Sequence, residues 1–228
     1  MKKKFPRTTT ALCTLVTLVM LFSITAGALA LYNLTGTKLT GGIAHVHYSF
    51  QNPNNYENAY NINYLSQIWG ASNSWRDALF DRNNTTYFTY TTPSNSCDIY
   101  FKFVNNSTTL AAGCKFFDAN GNQLNSSGTV YDHARSNYAY AVVEINQGVV
   151  EGLSLASGIR CIFAHEEGHT LGLAHMTESN FENFNSTSVD LKSIMYENAY
   201  KVYETYSVYT PQTGCDLEPV LRIYGYLK

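Results

Sequence analysis

The chain has 228 residues and a formal net charge of −2; hydrophobic residues make up 45% of it and charged residues 14%. That apolar share is enough for a buried core and excludes wholesale disorder, and the missing basic excess excludes an electrostatic footprint for nucleic acid. With 18 tyrosines and many Asn, Ser and Thr, the surface is polar by hydroxyls and amides more than by charge, as suits an extracellular protein.

Lys2, Lys3, Lys4 and Arg7 precede a mostly apolar run from Ala11 to Phe22, and Ala28-Leu29-Ala30 has the A-x-A form of a signal peptidase site. This predicts a signal peptide over 1–30, cleaved after Ala30, and a secreted chain with no membrane association once it is removed. An uncleaved anchor is the alternative, because Ala11 to Ala30 is long enough to cross a bilayer. Cys13 would leave with the signal. Cys97, Cys114, Cys161 and Cys215 remain, an even number compatible with two disulfides in an oxidising compartment. Three pairings are open; the expected one is Cys97–Cys114, between neighbouring predicted strands, with Cys161–Cys215 tying a central helix to the last one. Four thiols are the alternative.

In chain order, Ala44, Val46, Tyr48 and Phe50 alternate on one face of a predicted strand and leave His45 and His47 on the solvent face. Tyr64, Leu65, Ile68, Trp69, Trp75 and Leu79 keep helical spacing within Tyr60 to Leu79. Shorter strands are predicted over Tyr87 to Tyr90, Cys97 to Phe103, Leu110 to Phe117 and Ala141 to Asn146. The third ends at Asp118-Ala119-Asn120-Gly121-Asn122, which carries the Asn-Gly step of a hairpin. A helix is predicted from Ser154 or Ser157 through Ile159, Ile162, Phe163 and Leu171, then an irregular stretch from Thr177 to about Thr210. After Pro211, the spacing of Leu217, Val220, Leu221 and Tyr224 predicts a closing helix. No repeat, linker or low-complexity block divides 31–228, so one domain is expected there.

Chemistry concentrates in His165-Glu166-Glu167-Gly168-His169-Thr170-Leu171-Gly172-Leu173-Ala174-His175, which holds three of the six histidines. His165 and His169, four apart on a helix, project from one face at a separation that lets two nitrogens share one ion. Gly172 lets the chain leave the helix, and the turn brings His175 round as a third ligand. Three protein ligands leave a fourth position for water, the mark of a catalytic zinc site. Glu166, beside the first ligand, can reach that water as a general base. Glu167 is expected as an outward-facing charge.

His165 to His175 resembles the H-E-x-x-H-x-x-G-x-x-H signature of the metzincin zinc endopeptidases. Ser193-Ile194-Met195-Tyr196 resembles their Met-turn, in which a methionine lies beneath the zinc-binding histidines. The Met195-Tyr196 pair, and Pro211 to Gly225 with Asp216, Tyr224 and Gly225, are most similar to the matrixins. The resemblance covers most of 40–226 and is sharp from Phe163 onward. It implies an α+β fold with a twisted mixed sheet of about five strands, a long N-terminal helix, a zinc-site helix and a C-terminal helix. It also implies a monomeric endopeptidase acting on protein or peptide substrates: Zn2+ on His165, His169 and His175, Glu166 as general base, Met195 and Tyr196 in the Met-turn.

The sequence departs from the family where Glu197, and not proline, follows Tyr196, and where Met176 follows His175. Only Asp132 and His133 hint at a second zinc, and none is assigned; no propeptide is expected either. Substrate is expected along the edge of the strand at Leu110 to Phe117, with Met176 to Ile194, including Phe181 and Phe184, shaping the pocket. Two other readings stand beside this one: a secreted binding or adhesion module with a structural zinc, and a peptidase restricted to short or cell-wall peptides. N-x-[ST] sequons begin at Asn33, Asn83, Asn84, Asn105, Asn106, Asn125 and Asn185.

Overall fold

The computed structural model describes residues 34–51, 57–92, 97–125, 134–176 and 192–227. The chain divides into two units, Met1–Leu31 and Tyr32–Lys228, and everything below concerns the second. The signal peptide expected over 1–30, Asp132 and His133, Phe181 and Phe184, and the sequon asparagines Asn33 and Asn185 lie outside the described residues.

Five strands form one sheet: β1 (His45–Phe50), β2 (Tyr87–Tyr90), β3 (Ile99–Val104), β4 (Ala112–Phe117) and β5 (Tyr140–Asn146), in the order β2-β1-β3-β5-β4. All neighbours are parallel except β4, which runs antiparallel to β5 and forms an edge. The alternation expected in β1 is present, with His45 and His47 exposed and Val46, Tyr48 and Phe50 buried. Two helices lie on one face of this sheet. Helix α1 (Tyr64–Asn83) meets β3 through Tyr64 and Phe103, and helix α3 (Ala156–Thr170) meets it through Phe163 and Phe101. Trp75 of α1 donates its indole N–H to Ala164 C=O of α3 at 2.8 Å, pinning one helix to the other inside the core. Among the described residues no helix is long and apolar enough to cross a membrane.

Helix α1 starts at Tyr64, the first residue of its apolar set, because Asn63 caps it: the amide oxygen accepts Ser66 N–H at 2.9 Å. Trp69 is not in the core; it is 49% exposed and meets Tyr90 edge-on. The irregular stretch expected up to Thr210 contains a helix, α4 (Ala199–Tyr206). Ala199 and Val202 are buried and, with the part-buried Tyr203 and Tyr206, keep the i, i+3, i+4, i+7 spacing of a helix, a signal the sequence carried; its ends are fixed locally. Asn198 Oδ1 accepts Lys201 N–H at 3.0 Å, and Ser207, at φ +57°, closes the last turn. A single turn, α2 (Gln147–Val150), follows β5 directly. The closing helix is α5 (Glu218–Ile223), led in by a π-type turn over Thr213–Leu217; Leu217, Val220 and Leu221 are buried as their spacing suggests.

The expected disulfides are not formed: Cys97, Cys114, Cys161 and Cys215 are thiols. The reason for the first pair lies in the strand order. Cys97 precedes β3, Cys114 lies in β4, and β5 runs between them, so about two strand spacings, near 9–10 Å, exceed the Cα reach of a disulfide. Cys161 and Cys215 are each buried, and burial, aided by the nearby Asp216 carboxyl, raises both thiol pKa values, Cys215 to about 12.

Candidate metal centre and cleft

The end of α3 is buried on every side, from Cys161 to Thr170. The helix therefore delivers His165 and His169 into the interior, toward the edge strand β4. Gly172 then reverses the chain at φ +96°, where a Cβ would lie 2.7 Å from Thr37 C=O; no other residue type fits without strain. Thr35 N–H donates to Gly172 C=O at 3.0 Å, so residues just before β1 brace this turn from outside. The reversal brings His175 back beside the helix.

The three Nε2 atoms form a near-equilateral triangle with sides of 3.1 Å. His165 Nδ1 donates to Ile194 C=O at 2.7 Å and His169 Nδ1 donates to Leu173 C=O at 2.9 Å. Carbonyls only accept, so on both rings the hydrogen sits on Nδ1 and Nε2 presents a lone pair. Lone pairs converging at this distance repel unless a cation lies among them. A tetrahedral zinc with Zn–N bonds of about 2.0–2.1 Å would space its nitrogens about 3.3 Å apart, close to what these rings show. The donor set therefore fits a zinc ion, and backbone carbonyls behind the ligands fix ring orientation as outer partners do in such sites.

Behind His165 lies a second layer, built from Ser193 and Asp216, whose likeness to the family the sequence showed without giving either this role. Asp216 is fully buried and accepts Ser193 Oγ–H at 2.5 Å, Gln212 N–H at 2.7 Å and Ile194 N–H at 3.3 Å. Ser193 Oγ in turn accepts Met195 N–H at 2.9 Å. The turn at Ser193–Met195 is thus held by a carboxyl 22 residues away from Ile194, and that turn presents the carbonyl that orients His165. Met195 packs beneath α3 where Gly168 leaves room; a Cβ on residue 168 would collide with its sulfur. Burial raises the Asp216 pKa to about 6, against the lowering effect of its hydrogen bonds.

Glu166 is buried and shares the cleft with the three histidines. Cys114 of β4 donates its S–H to Glu166 Oε2 at 3.3 Å and to Glu166 C=O at 3.2 Å. Glu167, expected to face outward, is instead fully buried, because α1 covers that side of α3. It accepts the Ser72 hydroxyl, its second oxygen has no partner among the described residues, and burial holds its carboxyl well above the ordinary carboxylate range. The Ser72 contact had no signal in the sequence; it follows from helix packing alone.

The cleft in front of the histidines has a volume of about 590 Å³. One wall is Thr109–Gly113, leading into β4, and the other is Tyr196–Lys201, leading into α4; Val149, Leu153 and Ile162 also line it. Met176 N–H donates to Met195 C=O at 2.8 Å and joins the chain after His175 to the second wall.

No protein-family model matches the sequence, and no curated protein matches it. Solved structures with a loose likeness include the ECX AB5 holotoxin in its GM1-bound form (17% identity, 78% of each chain covered, TM-score 0.45). High choriolytic enzyme 1, a hatching-enzyme zinc-protease of Oryzias latipes, matches at 18% identity over 70% of this chain and 71% of its own, with TM-score 0.31. Myroilysin matches at 10% identity over 84% and 97%, with TM-score 0.38.

Proposed function

We propose that the protein is a secreted zinc-dependent peptidase of metzincin type, nearest the matrixins, that hydrolyses peptide bonds. The observation that carries this reading is the triangle of Nε2 atoms, two with their hydrogens committed to carbonyls, opening with Glu166 into one cleft. His165, His169 and His175 would hold the ion, with Met195 and Tyr196 as the turn beneath and beside them. Zinc bound there supplies a Lewis acid and makes water acidic near neutral pH, about 7 in comparable sites.

This chain's residues do the rest. Glu166 takes a proton from the attacking water and returns it to the leaving nitrogen, the usual two-step duty of a carboxylate base. Cys114 engages one carboxylate oxygen and so favours one orientation of that base. The edge of β4 holds substrate extended by adding it as a strand. A purely structural zinc site has no need of Glu166 or of a cleft this large.

The test is digestion of casein and of a mixed peptide library by the zinc-loaded protein and by Glu166→Gln. Cleavage by the first and not by the second, with equal zinc content, is the expected result. A zinc-loaded wild type that cleaves nothing would leave a binding module as the better account.

A further inference from the structure

Along β4 the peptide groups alternate between the strand's two edges. Asn146 N–H donates to Ala111 C=O at 2.8 Å, and the register pairs Gly113 with Glu144 and Lys115 with Val142. Odd residues therefore face β5, and Ala112, Cys114 and Phe116 face outward. From Cys114 onward that outward edge is occupied. Asn125 Nδ2 donates to Cys114 C=O at 3.0 Å, Phe116 N–H donates to Asn125 Oδ1 at 2.9 Å, and Leu124 N–H donates to Phe116 C=O at 2.7 Å. The Asn125 amide stands where one peptide unit of an added strand would stand. The cleft wall agrees: it takes in Thr109–Ala111 ahead of the strand and Ala112 and Gly113 within it, and stops there.

The chemical centre lies at the same level. Glu166 Oε2 is the partner of Cys114 Sγ, so the proposed base sits beside the first capped residue. On one side the cleft continues past Val149, Leu153 and Ile162. On the other, strand pairing is closed off at once.

We propose that Asn125 is a specificity-determining residue that denies substrate strand pairing on one side of the scissile bond, so that preferred substrates are peptides cut close to one end, the same end in each. This rests on the peptidase reading above. It favours short peptides, or protein segments that turn away just beyond the cut, over long chains paired on both sides.

The experiment uses peptides built around one cleaved bond and lengthened residue by residue toward each end, with kcat/KM read for the zinc-loaded protein. On one side the gains should end within about two residues, and on the other they should continue over about four, past the open start of β4 at Ala112 and along Thr109–Ala111 ahead of it. Asn125→Ala should add a further gain on the short side of about threefold to tenfold, the effect of one or two new hydrogen bonds. Asn125→Asp, which keeps the acceptor for Phe116 N–H but loses the donor to Cys114 C=O, should fall between. Faster amide exchange at Phe116 in Asn125→Ala, with unchanged zinc content, verifies that the cap alone was removed. Equal gains on both sides in the wild type overturn the cap while leaving the peptidase reading intact. An unchanged profile in Asn125→Ala with faster exchange at Phe116 removes the role of Asn125. Failure of the zinc-loaded wild type to cut any peptide overturns the peptidase reading, and this inference with it.

Discussion

The two sides of the cleft are built on opposite principles. The histidine side is over-determined: α3 is buried throughout its last turns, Gly172 is clamped by Thr35 and Thr37, and Asp216 anchors the turn that orients His165. The facing walls depend on open edges: Thr109–Gly113 beside an edge strand, and a short helix, α4, with two buried residues. A site that must hold ring nitrogens a fixed 3.1 Å apart draws on the core for rigidity, whereas a surface that must receive a chain leaves its backbone groups available. Changes on the first side should therefore alter the metal and the stability, and changes on the second should alter substrate preference.

The largest effect should come from Glu166→Gln, which tests the chemistry without disturbing the triangle. Peptide turnover should fall by about 10²–10⁴ while zinc stoichiometry, read by metal analysis, stays the same. Next is Asp216→Ala. It leaves Gln212 N–H, Ile194 N–H and the Ser193 hydroxyl without their buried acceptor, a loss of about 2–4 kcal/mol in denaturant unfolding. The same change should weaken zinc binding in chelator competition, because the Ile194 carbonyl is no longer held against His165.

Gly172→Ala should cost about 1–3 kcal/mol through its left-handed backbone and the approach of Thr37 C=O. In this variant zinc affinity should fall with stability, since His175 depends on that turn. A mutant with normal affinity would show that the clamp is dispensable.

Asp216 also sets a pH dependence. Its folded pKa, about 6, lies above the ordinary 3.8, so the folded chain holds the proton more tightly than the unfolded one. The stability this group contributes is full below pH 3.8 and is lost as pH rises through about 6. Metal-free wild type should therefore lose about 2–3 kcal/mol relative to Asp216→Asn across that window. A flat difference between the two proteins would show that the carboxyl is not perturbed. The smallest expected effect is that of reductant: with Cys97, Cys114, Cys161 and Cys215 as thiols, reduction should leave the melting temperature unchanged and thiol titration should find all four.

Much of this was readable in the chain. Period-two alternation marked β1 and β3, helical spacing marked α1 and α3, and the histidine spacing named the three rings that converge. Most of what failed shares one cause. Trp69 and Glu167 were placed on the wrong sides of their helices because a helix's burial depends on which neighbour covers it. Strand order is set by long-range pairing, and it separated Cys97 from Cys114. Helix α4 is the exception, since Ala199, Val202, Tyr203 and Tyr206 stand at helical spacing and its signal was present in the chain.

By itself, then, the order of residues determined the elements and the set of nitrogen donors, because both arise from interactions within a few residues along the backbone. Tertiary structure alone decided what stands behind and across from those donors. Asp216 under His165, Cys114 against Glu166, Ser72 on Glu167 and Asn125 along the edge of β4 join residues between 11 and 95 positions apart. Such contacts form only when the whole core closes, and no local pattern encodes them.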